Sequence, residues 1–481
     1  MTLADLADDP RFKNVNVPGL CFDSRKMQTG EIFFAIRGTA VDGHKYLEEV
    51  CRKRPVAIVV ENKEMVPKSY TGHLFITKNS RALLDLWAAK FFGRPGDSLL
   101  CIGVTGTNGK TTTVYMLEKI LTGAGWPTGV MGTIDHHMGK KVWETELTTP
   151  DPLTMQFRLK EFVRMGAKAA AFEMSSIAID QNRASSIPFD AAIFTNFSRD
   201  HLDYHGNMDK YFQAKLKLFT EVLLRSTKKK RFAVLNADNA MIASMPKKSG
   251  AYCIWFGQGK GDYPFKVLEQ SMAGSTFEVK GKEYSIATPG VHNVYNAVGA
   301  IVTAIESNVS WESVQKSLHT FTGAPGRLES VPNNKGLHIF VDYAHTDDAL
   351  RSVLESLRGL MKSSNSNGRI WTVFGCGGDR DKGKRPLMAK AAMENSSHVI
   401  LTSDNPRNED PNAIIQDCIA GIPYDRPHIE VDRKKAIAFA LQTAKEGDVI
   451  LIAGKGHENY QILGDTKIPF SDVEVVRESL T

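Results

Sequence analysis

Lys110, Thr111 and Thr112 follow a glycine-bearing stretch in LLCIGVTGTNGKTTT (99–113). A buried strand, a glycine turn and a helix start, in that order, build a site for a nucleoside triphosphate. Backbone N–H groups of Gly106, Thr107, Asn108 and Gly109 and the helix N-terminus face the phosphates. Lys110 reaches toward the β/γ oxygens, and a threonine hydroxyl can sit on Mg²⁺. The spacing is not that of the common P-loop. That pattern needs a glycine five residues before Gly109, where this chain has Val104, with glycines at 103 and 106 instead.

Other residues could share or extend that chemistry. Glu173 ends the apolar run AKAAAFE (167–173) and could take the magnesium, or could be a solvated strand-end carboxylate. Asn196 ends a second run, DAAIFTN, and both fall on the edge where α/β sheets bind ligands. In NFSRDHLDYHG (196–206), His201 and His205 stand four apart and invite a zinc reading, although no HExxH pattern is present. Lys215, on the helix MDKYFQAKLKLF, reads by residue type alone as a surface lysine. Further on, Arg380, Arg385 and Arg407 fall in loops after apolar runs and could fork onto carboxylates. In DNPR (Asp404, Asn405, Pro406, Arg407), the proline restricts Asn405 to extended geometry and presents Arg407 rigidly. Glu458, in GKGHE after Gly454, could receive an ammonium. Arginine and glutamate together would read the zwitterionic head of an amino acid; each alone also reads as a surface ion pair.

These residues need a scaffold of alternating strands and helices. The chain has 481 residues, which suggests about three domains of roughly 150 residues. The apolar share of 42% and charged share of 24% are those of an ordinary globular protein. Short runs (GLCFDSR, EIFFAIRG, VAIVVE, HLFITK) and the helix RALLDLWAAKFFG precede a Gly/Pro break, GRPGDS (93–98). Alternating strands and helices then continue to GAPGRLE (323–329), and a third alternating block follows. The expected fold is α/β in three domains, 1–97, 98–325 and 326–481. The central one is a doubly wound, mostly parallel P-loop sheet and the last is Rossmann-like.

The net charge of +6 is weak evidence for nucleic acid, and the basic run Lys228–Arg231 reads as a solvated loop. The opening residues have no basic and apolar regions of a signal peptide, and no apolar stretch is long enough to span a membrane. Six scattered cysteines without a CxxC pair fit reduced thiols in the cytoplasm.

Taken in order, GTNGKTT, EMSS, NFSRDHLDYHG followed by AK, GVHNVYNAVGA, GAPGRLE, DYAHT, FGCGGDRDKGKRP, DNPRNEDP and AGKGHENYQ resemble the Mur ligases, the ATP-dependent amide-bond-forming enzymes of peptidoglycan synthesis. The resemblance covers nearly the whole chain. It implies a cytoplasmic, monomeric enzyme of cell-wall formation that takes ATP, Mg²⁺ (two ions), UDP-MurNAc-L-Ala-D-Glu and meso-diaminopimelate, with no nucleic-acid partner and no membrane insertion. It further implies a CO₂-derived carbamate on Lys215, which makes this lysine a metal ligand beside Thr111, Glu173 and His201. Lys110, Glu173, His201 and Lys215 would be the catalytic set. His292, Asn293 and Asn296 resemble the adenine side, Arg327 a phosphate contact and Asp342 a ribose contact.

Ser24 matches the uridine pocket of a UDP-sugar domain, and Thr148, Thr149, Ser175, Gln181 and Arg183 match the muramoyl-dipeptide positions. Arg380, Asp404, Asn405, Pro406, Arg407, Gly454 and Glu458 match the diaminopimelate contacts, DNPR being the variant associated with that amino acid. Ile177 after the paired serines and Leu147 before Thr148 depart from the family pattern on the dipeptide side. Domain closure with hinges near 97 and 325 is expected. The folylpolyglutamate synthetases share the loop and the ligase chemistry, but have no need of FDSR or DNPR.

Overall fold

Runs such as Ile32–Phe34 and Ala57–Val60 are buried throughout, as are Leu100–Thr105 beyond its first residue and Val449–Ala453. Uninterrupted apolar strands of this kind form parallel sheets with helices on both faces. A computed structural model describes residues 1–38, 41–245, 251–363, 366–420, 422 and 427–480. It falls into two compact units, Met1–Lys110 with Gly125–Trp255, and Thr111–Ala124 with Phe256–Thr481.

The first unit holds a four-stranded parallel sheet, Leu20–Cys21, Ile32–Phe34, Ala57–Val60 and His73–Ile76. The helix Ser80–Phe91, capped by the Asn79 side chain on Ala82 N, packs Leu84, Trp87 and Ala88 onto it. The same helix is tied to the rest of the unit. The buried Asp85 accepts from Ser186 N at 2.6 Å, and Arg81 reaches Gln181 at 3.4 Å. A second sheet has the order Phe232–Asn236, Ala191–Phe194, Leu100–Thr105, Ala169–Glu173 and Thr128–Met131, all parallel. Two antiparallel strands, His136–Met138 and Lys141–Trp143, extend it. Parallel register aligns Phe194 with Thr105 and Val104 with Glu173, so the strand ends converge on one edge.

The basic run is not simply solvated. Lys229 and Lys230 are exposed, but Lys228 donates to the carbonyls of Asp97 and Leu99 at 3.0 and 2.6 Å, and Arg231 to that of Ser226. These bonds pin the break at 93–98 to the sheet.

In the second unit the alternation of strands and helices expected up to 325 is interrupted by an antiparallel meander, Tyr263–Ser271, Gly274–Val279 and Lys282–Ile286. Its tight turn has positive φ at both central residues, Lys280 (48°) and Gly281 (74°), the geometry of a two-residue hairpin. The six-stranded sheet runs Glu329–Ser330, His338–Asp342, Val449–Ala453, Ile370–Phe374, His398–Leu401, His428–Ile429, and only the first is antiparallel. Helices cover both faces, with separate clusters centred on Leu354 and Leu357 and on Ile437 and Ile452. A hairpin, Tyr460–Leu463 with Thr466–Pro469, lies beyond the sheet's last strand in sequence.

Candidate active site

The phosphate loop is clamped from the neighbouring strand end. Asn196 accepts from Asn108 N at 2.9 Å and donates to its carbonyl at 3.0 Å, and Thr195 Oγ1 donates to that carbonyl at 2.6 Å. Gly106 turns at φ 152°, with a strand on one side; a β-carbon there would overlap the Thr195 hydroxyl. That contact accounts for the glycine at 106. Thr107 Oγ1 exchanges bonds with Ser198 and meets Tyr211 OH at 3.1 Å, a partner the sequence pattern does not signal. The helix Lys110–Gly123 begins directly after the turn, with Thr111 and Thr112 both buried.

Two lysines converge on the loop. Lys110 Nζ donates to the carbonyls of Gly106 and Thr107 at 3.0 and 2.8 Å, and Lys215 Nζ donates to Gly106 O at 2.8 Å. Lys215 is not a surface residue. Its side chain is buried and lies over the Tyr211 ring at 4.7 Å. Burial, reinforced by the Lys110 charge, holds its pKa well below the usual lysine range. His201 sits near both lysines in a left-handed conformation (φ 51°), 3.5 Å from Asp200, and burial lowers its pKa. His205 is turned inward, with Nε2 3.0 Å from Ser176 Oγ and the ring against Tyr211. Zinc has no ligand set here: no group of three His, Cys, Asp or Glu able to hold a metal occurs among the described residues.

Glu173 is held by a residue the sequence did not single out. Thr133 donates its N–H to Oε1 at 2.8 Å and its hydroxyl lies 3.0 Å from Oε2, while the same hydroxyl meets Thr148 Oγ1 at 3.1 Å. The residues expected to hold the muramoyl-dipeptide join this network. Thr149 Oγ1 donates to Glu173 O at 2.7 Å and accepts from Ser175 N, whose own hydroxyl caps the helix Ser176–Asp180. Arg183 donates to Thr149 O and twice to Gln181 Oε1, at 2.9, 3.0 and 2.7 Å. Thr148, Thr149, Ser175, Gln181 and Arg183 are thus one hydrogen-bonded patch beside Glu173. Ile177 continues the short helix after Ser176, and Leu147 is exposed. Ser24 is buried in the N-terminal sheet region, its carbonyl held by Lys53 at 2.5 Å, and the structure does not bring it into that patch.

The second unit gathers the C-terminal motifs. Arg385 is a correction: it lies on the helix Lys384–Asn395, fully buried and forked onto Glu409 at 3.0 and 2.8 Å and onto Asp417 at 2.7 Å. Its guanidinium is consumed by structure. Arg407 (φ 52°) donates to Gly378 O at 2.8 Å, and its own backbone pairs with Ile462 O and Gly464 N of the hairpin. Arg380 is exposed and flanks Gly377 together with Arg407. Asn405 donates to Glu458 Oε2 at 2.9 Å and accepts from Ile462 N at 3.0 Å. Asp404 is buried against Gly454, and burial raises its pKa. Lys455, also unsignalled by sequence, lies fully buried among them.

Elsewhere in this unit, Asn293 donates to Pro289 O at 2.9 Å and receives Asn296 at 3.4 Å on the helix Val291–Glu306. Asp342 accepts from Leu328 N and Ala344 N at 2.6 and 2.8 Å, and Arg327 lies over the Tyr343 ring at 5.0 Å. Asp342 therefore shapes the loop that carries Arg327. The two glycine loops meet backbone to backbone, since a β-carbon on Gly326 would strike Gly456 and His457.

Comparison with known proteins fits these observations. The chain matches family models of the Mur ligase catalytic domain at residues 16–82, the Mur ligase middle domain at 104–304 and the glutamate ligase domain of Mur ligases at 326–456. The chain belongs to the Mur ligase family. It is 42% identical over 469 residues (96% of this chain, 94% of the relative) to the UDP-N-acetylmuramoyl-L-alanyl-D-glutamate–2,6-diaminopimelate ligase of Aquifex aeolicus. It is 39% identical to the enzyme of that name from Solibacter usitatus, over 98% of this chain and 95% of the relative. A solved structure of a protein of that name superposes with TM-score 0.71 at 32% identity, over 100% of this chain and 98% of that one. Folylpolyglutamate synthase of Mycobacterium tuberculosis shares the fold (TM-score 0.61, 18% identity, 78% and 92% coverage).

Proposed function

We propose that the chain is a cytoplasmic, monomeric, ATP-dependent ligase that joins meso-diaminopimelate to UDP-MurNAc-L-Ala-D-Glu, a step in building peptidoglycan. The observation that carries this reading is the Asn405 junction. The Asn405 side chain donates to Glu458 at 2.9 Å while its backbone carbonyl lies 3.4 Å from Arg407, so a carboxylate and a guanidinium are presented on one loop cluster. An amino acid's ammonium and carboxylate suit that pair, and the additional carboxylate of diaminopimelate relative to lysine suits Arg407 and Arg380.

In the proposed reaction, the γ-phosphoryl group of ATP passes to the free D-glutamate carboxylate and gives an acyl phosphate. The neutral amine of diaminopimelate then adds to that carbonyl, and the tetrahedral intermediate collapses with loss of phosphate and of one amine proton. Gly106–Lys110 would bind the phosphates, with Lys110 steadying the transferring group. Thr148, Thr149, Ser175, Gln181 and Arg183 would hold the dipeptide and Ser24 the uridine. Asn293, Asn296 and Arg327 would serve the nucleotide, and Asp342 would act by shaping the loop around it.

The donor set suits magnesium, which binds through one or two carboxylates and completes its shell with phosphates and water. Glu173, Thr111, His201 and a carbamate on Lys215 would hold it. Bound there, it would neutralise phosphate charge. The carbamate forms when the neutral amine adds to CO₂ and releases a proton, and the lowered pKa of the buried Lys215 amine shifts it toward that neutral form.

ATP-dependent phosphate release with the UDP-dipeptide, comparing meso-diaminopimelate with L-lysine, tests the reading. Turnover with diaminopimelate only is expected. Equal turnover with both would sink the role of Arg407, and turnover with neither would sink the function.

A further inference from the structure

Lys455 lies between Gly454 and Gly456 in the loop after the strand Val449–Ala453, and its side chain is fully buried. A lysine is almost never buried without paired charge, because desolvating an ammonium costs several kcal/mol. Here Nζ meets Glu458 Oε2 at 3.1 Å, Asn405 Oδ1 at 3.2 Å and Asp404 Oδ1 at 3.6 Å, with the Tyr460 ring at 5.7 Å. These partners belong to two separate loops, 404–405 and 454–458. The ammonium touches both carboxylates and the amide between them.

The geometry points to Lys455 as the positioning residue of the amino-acid site, a reading that rests on the function proposed above. Two consequences follow from its placement. Lys455 and Asn405 Nδ2 both bind Oε2 of Glu458, which leaves Oε1 to accept an incoming N–H. Asn405 Oδ1 accepts from Lys455 and from Ile462 N, which fixes the amide's orientation and anchors the hairpin beneath Arg407. The formal count of Asp404, Glu458 and Lys455 is one net negative charge, matched to one substrate ammonium. Arg433, neutralised by Asp472 at 2.7 Å, faces the same carboxylates from the helix Arg433–Thr443 and leaves that count unchanged.

The test is steady-state kinetics of Lys455→Met with each substrate varied in turn, alongside Glu458→Gln and the double variant. Lys455→Met should raise KM for meso-diaminopimelate about 10²-fold, with the KM values for ATP and the UDP-dipeptide held within about threefold, the signature of lost binding at one subsite. The two substitutions should be strongly non-additive, because each dismantles the same Oε2 contact. A lysine that only supports the fold would lower thermal stability and kcat while leaving KM for diaminopimelate unchanged, and that result would overturn the inference. Additive effects would overturn it as well. Wild-type protein that turns over no diamino acid overturns the functional reading and this inference with it, whereas active wild type with an unaltered KM in Lys455→Met overturns the role of Lys455 alone.

Discussion

Lys110 and Lys215 donate to one carbonyl, that of Gly106, from 3.0 and 2.8 Å. Two ammonium groups on a single oxygen repel, and burial together with the Lys110 charge lowers the pKa of Lys215. A carbamate on Lys215 would turn the repulsion into attraction. Depleting CO₂ should therefore lower activity and bicarbonate should restore it, while Lys215→Met should lose about 10²–10³-fold in kcat irrespective of CO₂. A ¹³C resonance from labelled bicarbonate that disappears in Lys215→Met would identify the adduct.

The unmodified lysine also has a stability signature. Its folded pKa lies below its unfolded one, so the unfolded chain binds more protons between the two values and stability rises with pH across that window. In CO₂-depleted buffer, the Tm of wild type should rise relative to that of Lys215→Met as pH climbs toward the unfolded lysine value of about 10.4.

Thr133 is the hydroxyl that orients Glu173. Thr133→Val keeps the backbone bond to Oε1 and removes the contact at Oε2. Groups that orient metal-binding carboxylates typically matter about 10–100-fold. The half-saturating Mg²⁺ concentration should rise by about that factor, with KM for diaminopimelate unchanged; a variant with normal magnesium dependence would refute the role.

Asp85 is buried on the helix Ser80–Phe91, and burial pushes its carboxyl up to about 7 despite the bond from Ser186. Here the folded state binds the additional proton between the unfolded and folded pKa values. Stability therefore falls as pH rises from about 4 to about 7, at a slope of up to roughly 1.4 kcal/mol for each pH step of one. Asp85→Asn keeps an acceptor for Ser186 N and removes the titration. Its Tm should gain on that of wild type steadily across this range and hold the gain above about pH 7.5.

Arg433 and Asp472 form a fully buried ion pair at 2.7 Å that ties the last helix to the Ala453 carbonyl, just before Gly454. Asp472→Ala strands the guanidinium and should cost about 3–5 kcal/mol in urea unfolding. Arg433→Met combined with Asp472→Leu should recover part of that loss, since an apolar pair removes both desolvation costs.

The residues that bind through the backbone or sit at strand ends could be read directly from the chain. Gly106–Lys110, Glu173 and Asn196 follow from apolar runs that stop at polar residues, and parallel strands of similar length end at one edge whatever the details of packing. DNPR and GKGHE were readable for the same reason. The antiparallel meander at 263–286 was not, because its alternation is short and its turn, Lys280-Gly281, carries a weak signal.

Amino-acid order alone determined the α/β class, the nucleotide loop and the membership of this chain in its ligase family, since each depends on local pattern. Which charges are buried was decided by packing between segments far apart in the chain. Lys215 and Lys217 stand two residues apart on one helix, yet the first is buried against Gly106 and the second pairs with Asp180 at 2.7 Å. Arg385 and Arg407 look alike in sequence; one is locked by Glu409 and Asp417 and the other is held on a loop by Gly378. Desolvation depends on everything that surrounds a side chain, and for these residues the surroundings come from segments up to 109 positions away.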